Sequence, residues 1–133
     1  MPDTEPSSVD RWYEQGLVLA RAGRWFEAHE EFELAWRACD PAERDFFQGL
    51  VHVVVATYQR ERGRPVAADS QRAKALRRLA PFAPVHRGID VAALLGSLER
   101  VEPDPREHLV DRHAEPPVAV EEEKQAEDDQ GHA

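Results

Sequence analysis

This sequence predicts an all-α fold, a compact antiparallel helical bundle of two helix hairpins with a short fifth helix over one end. Three observations carry that reading. Apolar residues recur at helical spacing through most of the first hundred positions. Glycine and proline stand between those stretches, where helices stop. Finally, Gly23, Ala28, Ala35 and Pro41 return forty residues later as Gly63, Ala68, Ala75 and Pro81, the mark of a repeated helix pair.

The first helix is expected over residues 9–22. Ser7 and Ser8 are good N-cap types, Trp12, Leu17, Val18 and Leu19 supply an apolar face, and Gly23 suits a left-handed helix end. The second runs over 25–39 and stops at Asp40-Pro41, because a proline disfavours helical geometry in the residue before it. The third, over 41–62, is valine-rich enough to suggest a strand. Phe47, Leu50, Val51, Val54 and Tyr58 nevertheless keep helical spacing, and the stretch is long. Gly63 ends it. A fourth helix, rich in alanine and arginine, is expected over 65–79 and closes at Pro81; after a loop, Asp90 caps a fifth over 91–101. Trp12, Gly16, Ala28, Phe32 and Ala35 also match the spacing of a tetratricopeptide repeat, with the second copy agreeing only at its small residues.

The charge divides the chain. Residues 1–101 carry 15 acidic and 14 basic groups, a net −1, whereas residues 102–133 carry 11 and 3, a net −8. The reading is a flexible N-terminus over 1–8, a helical bundle over 9–101, and a disordered acidic tail over 102–133 with little to bury. A nearly neutral folded part disfavours nucleic acid as a partner. Residues 60–87 do hold eight Arg and Lys against Glu61 and Asp69, and a solvated basic face is the ordinary cause of such a run. The segment 27–45, with seven acidic groups against Arg37 and Arg44, could meet that patch on a partner or on the same chain. Cys39 is the single cysteine, so no intrachain disulfide forms. No apolar signal region opens the chain, and the longest apolar run, Leu50 to Val55, is interrupted by His52 and too short to span a bilayer. A cytoplasmic setting without membrane contact is expected.

The pointed chemistry lies on the second helix. At about 100° per residue, Trp25, Phe26, Phe32 and Trp36 fall within about 60° of His29 on either side, with Glu33 at about 40°. A carboxylate among tryptophans needs a partner. The third helix offers a polar stripe, Asp45, Gln48, His52 and Gln59, with Arg44 near it. The candidate binding pocket is therefore His29, Glu30, Glu33, Trp36, Arg44, Gln48 and His52, between helices two and three. Three uses of it compete. A buried hydrogen-bond network would fix helix register, and a pocket would take a small ligand or a protein partner. In an enzyme, His29 and Glu33 would be catalytic, or His29, Glu33 and His52 would bind a divalent metal as two histidines and a carboxylate, the ligand set of catalytic zinc and some iron centres. No cofactor is predicted beyond that alternative. A tetratricopeptide-like interaction module is the remaining reading.

The pattern Gly23-x-Trp25-Phe26-Glu27-Ala28-His29-Glu30-x-x-Glu33-x-x-Trp36, followed by Arg44-x-Phe46-Phe47-Gln48-Gly49-Leu50, resembles domain-of-unknown-function family 309 over residues 9–100. The resemblance implies a small all-helical prokaryotic protein without an assigned activity. It carries the family's motif onto His29, Glu30, Glu33, Trp36, Gln48 and Gly49. His52 departs from the glutamine that the family pattern implies there, which counts against an essential role for it.

Overall fold

Ser7 opens the first helix. Its hydroxyl accepts the Asp10 backbone N–H at 3.1 Å, and α1 runs Ser8–Arg21, so one of the four unpaired donors at the helix start is satisfied. The computed structural model of the protein describes residues 7–100 and 104–112. Helix α2 follows over Trp25–Ala38, α3 over Arg44–Glu61, α4 over Pro65–Leu79 and α5 over Val91–Glu99. Consecutive helices pack on one another in that order, so the molecule is an all-α bundle of two helix hairpins with a fifth helix laid against α4.

The forty-residue echo in the sequence is a repeat of structure. Gly23 and Gly63 both take left-handed backbone, with φ of 79° and 75°. Their N–H groups reach Ala20 O at 2.9 Å and Arg60 O at 3.0 Å, and the following N–H groups reach Leu19 O and Gln59 O at 2.9 and 3.0 Å. This is the same C-terminal motif twice, closing the orphan carbonyls of α1 and α3. The paired alanines then line the buried side of each second helix, with Ala28, Ala35 and Ala75 fully buried and Ala68 1% exposed. Pro41 and Pro81 each sit in a short 3-10 turn, Pro41–Glu43 and Ala80–Phe82.

Close approach depends on small residues. A Cβ on Gly16 of α1 would run into the Phe32 ring, and one on Gly49 of α3 would stand 2.6 Å from Leu79 of α4. Around these contacts the core is aromatic and branched: Phe32, Phe46, Phe47, Leu50, Val53 and Val54 are all fully buried. Tyr13 meets Phe47 edge-on at 5.8 Å and Phe46 meets Phe47 at 5.4 Å, an arrangement that the ring quadrupoles favour.

Two parts differ from the expectation. The loop before α5 holds a small antiparallel hairpin, β1 (Val85–His86) and β2 (Ile89–Asp90), with Val85 opposite Asp90. Asp90 then caps α5 as expected, accepting the Ala93 N–H at 2.9 Å. The second difference is a correction. A tail free of the bundle from residue 102 does not hold for residues 104–112. Pro105 and Leu109 are buried there, Arg106 lies over the Trp25 ring at 5.9 Å, and the Arg112 N–H reaches Gly88 O at 3.0 Å. This strap touches α1 and α5. Charge dominates its composition, and the buried Pro105 and Leu109 anchor it. The rest of the acidic tail, 113–133, and residues 1–6 and 101–103 lie outside the described residues. Among the described residues no helix is long and apolar enough to cross a membrane.

Candidate functional site

The buried face of α2 is Trp25, Ala28, Phe32 and Ala35. Its centre lies about 80° round the helix from His29, measured at about 100° per residue. The expected arc was centred on His29 because Phe26 was counted as core, yet Phe26 is 52% exposed. His29 and Glu33 therefore sit at the rim of that face. Their side chains are 24% and 37% exposed, and Nε2 of His29 lies 3.2 Å from Glu33. Arg37 approaches the same carboxylate at 3.5 Å, so a ladder of polar side chains runs along one helix at four-residue steps. Such a partly solvated ladder contributes little stability, of order half a kcal/mol per pair.

Next to this ladder lie the aromatic neighbours. Phe26 stacks against His29 at 5.6 Å and against Tyr58 of α3 at 5.9 Å. At the other end of the stripe Arg44 of α3 stands over the Trp36 ring at 5.1 Å, and so serves Trp36 while Arg37 serves Glu33. Two buried polar atoms on the stripe, His29 Nδ1 and Trp36 Nε1, have no hydrogen-bond partner among the described residues. Glu30 points to solvent, and Gln48 is half-buried. The Cys39 thiol donates to Trp36 O at 3.3 Å, and burial pushes its pKa up, which leaves it a poor nucleophile.

His52 does not join this group. Its Nδ1 meets Gln71 of α4 at 2.7 Å, and Asp45, another member of the same stripe, pairs with Arg78 of α4 at 2.8 Å. The polar stripe of α3 thus faces α4 and leaves α2 to a different side. Burial, followed by the positive field of Lys74, Arg78 and Arg77, lowers the His52 pKa despite the Gln71 hydrogen bond. No group of three or more His, Cys, Asp or Glu able to hold a metal occurs among the described residues. Of the residues expected together, His29, Glu33, Trp36 and Arg44 line one side of the bundle, and His52 faces another helix.

Two features escaped the sequence reading. The first is a shallow depression of about 360 Å³ lined by Gly23, Arg24, Trp25, Phe26, Glu27, Tyr58 and Glu61. It adjoins the stripe through Phe26 and Tyr58. Trp25 Nε1 donates to Glu61 at 3.0 Å on its floor, and Arg24 pairs with Glu27 at 2.7 Å. The second is an ionic cluster at the β-hairpin. Arg87, with φ of 49°, donates to Glu43 at 2.7 Å and to Asp10 at 3.0 Å, and its guanidinium lies about 5 Å from both the Tyr13 and Phe47 rings. The Tyr13 hydroxyl donates to Arg87 O at 2.6 Å, and Nε2 of His86 reaches Glu43 at 2.8 Å. Burial raises the Glu43 pKa, but the hydrogen bonds from Arg87 and His86 outweigh it and hold the carboxyl below its usual range. Every member is engaged, so the cluster locks the hairpin onto α1 and α3. No periodicity in the sequence points to partners more than forty positions apart.

The family model described as Domain of unknown function (DUF309) matches residues 13–70. Over that segment the chain is similar to DUF309. The match covers α2 and α3 whole, and with them the stripe and its aromatic neighbours. No curated protein and no solved structure matches the chain.

Proposed function

We propose that this protein is a non-catalytic binding module whose contact surface is the α2–α3 side, from Trp36 and Arg44 at one end to Phe26 and Tyr58 at the other. The observation that carries this reading is the pair of unpartnered buried polar atoms, His29 Nδ1 and Trp36 Nε1, seven residues apart on one stripe. A buried donor without a partner costs about 1–3 kcal/mol, and a bound group that satisfies it recovers that cost. The residues over the two rings, Phe26 and Arg44, are themselves exposed, so they can swing aside without disturbing the core. Two turns of helix put the atoms roughly 10 Å apart along the axis, a span that suits an extended peptide better than a small molecule. The adjoining depression, with Phe26 and Tyr58 at its edge, supplies room for an apolar side chain of that peptide.

The test is peptide selection from a random library on the full chain, read by the indole N–H resonances. A selected peptide should shift the Trp36 indole and the His29 ring while leaving Trp12 in place, and Trp36→Phe should weaken its binding about tenfold, the value of one hydrogen bond to a buried donor. Selection of peptides that bind yet leave Trp36 unmoved would remove this surface from consideration.

A further inference from the structure

We propose that the α3–α4 face centred on Lys74 and Arg77 is a docking surface for acidic polypeptide, and that its resident occupant is this chain's own segment 121–129. The face carries four cations, of which the bundle neutralises two. Arg78 is paired with Asp45 at 2.8 Å and Arg72 with Asp69 at 3.3 Å. Lys74 and Arg77, one turn apart on the same helix, have no acidic partner among the described residues. Their field is felt by a neighbour, since Lys74, Arg78 and Arg77 all act on His52 across the α3–α4 contact.

The complementary charge lies in the same chain. Residues 121–129 read Glu-Glu-Glu-Lys-Gln-Ala-Glu-Asp-Asp, six acidic groups against one basic, while the bundle itself is almost neutral. Geometry permits the meeting. The strap delivers Arg112 onto the β-hairpin, where its N–H bonds Gly88 O. That hairpin follows the C-terminal end of α4 after one 3-10 turn. From 112 to Glu121 there are nine chain steps, which reach up to about 30 Å when extended. Opposite charges joined by so short a length of chain meet at a high effective concentration, so weak individual pairs suffice to hold the segment.

The experiment follows the imidazole resonances of His52 and His29 in the full chain through a pH titration at low salt. The native chain is compared with one carrying Glu121→Gln, Glu122→Gln, Glu123→Gln, Glu127→Gln, Asp128→Asn and Asp129→Asn. Docking predicts that His52 titrates about 0.3 pH units higher in the native chain, the effect of a unit charge about 10 Å away through water. His29, on α2, should stay put. The difference should vanish at about 1 M salt, where the screening length is about 3 Å, and in a Lys74→Gln, Arg77→Gln background. Should that pair of substitutions disturb folding, the salt series alone decides. Movement of His29 and His52 together, or of neither, overturns the proposal. A His52 difference that grows with protein concentration overturns it as well, by assigning the face to the tail of a second copy.

Discussion

Leu109 offers the sharpest test of the fold, because composition places it in a solvated tail and the structure places it in the core. Its side chain is fully buried, between α1 and α5 through the strap that carries it. Complete burial of a leucine is worth roughly 2 kcal/mol in transfer alone, and truncation to alanine in a packed site costs about 2–5 kcal/mol once the cavity is included. Neighbours add to the anchoring: Pro105 is buried, and Arg106 lies over the Trp25 ring. Leu109→Ala should therefore lower the unfolding free energy by about 2–4 kcal/mol, a loss of roughly 10–20 °C in melting temperature for a domain of this size. Removal of residues 113–133 takes away none of these contacts and should leave the midpoint within about half a kcal/mol. Urea denaturation of the two variants beside the native chain makes the comparison. A Leu109→Ala loss below about 1 kcal/mol would mean that the strap does not hold, and the bundle would then end at α5.

Four further outcomes are expected. Burial, with a hydrogen bond and repulsion from Asp111 behind it, raises the Glu14 pKa from 4.5 to about 7. A raised carboxyl pKa stabilises the fold below pH 4.5 and loses that contribution as the pH climbs through about 7; native stability should fall between pH 5 and about 8, and Glu14→Gln should flatten the fall. Arg87→Ala removes the partner of the half-buried Glu43 and should cost about 2–4 kcal/mol by urea midpoint, while Arg87→Gly, which accepts the positive φ, should cost about 1 kcal/mol less. Gly16→Ala should cost about 1–3 kcal/mol through collision with the enclosed Phe32, whereas Gly96→Ala, facing only the tip of Arg100, should be neutral or stabilising. His29→Ala should cost under about 1 kcal/mol in thermal melts, since its contact with Glu33 is partly solvated. A larger loss would show that Nδ1 has a partner after all.

Much of this fold is legible in the sequence because its signals are local. A glycine at a helix end, a proline after it and an aspartate three residues before an unpaired N–H each act within one turn, so Gly23, Gly63, Pro65 and Asp90 mark the elements to within a residue or two. The repeat is equally readable, because the same local motif occurs twice. The site is less so. His29, Glu33, Trp36 and Arg44 do share one side of the bundle, but helical projection alone cannot tell a buried aromatic from one at the rim, and Phe26 displaced the inferred centre. Asp45 and His52 of the polar stripe on α3 both meet α4. Which neighbouring helix it faces depends on the packing of α4, and no spacing within α3 encodes that. Arg87, His86 and Asp111 escaped notice for the same reason, since each acts on residues tens of positions away.

The strap and the hairpin cluster also set an order of events. Most contacts in the bundle join neighbouring helices and close short loops, which favours fast formation of each helix pair. The Arg87 bond to Asp10 and the Tyr13 bond to Arg87 span 77 and 74 positions, and the strap returns to α1 from beyond α5. These closures carry the largest loop entropy and gain their contacts only once both hairpins stand. In hydrogen exchange the amides of residues 104–112 should open first and those of α3 last. The strap would then act as a clasp, releasing α1 before the rest of the molecule gives way.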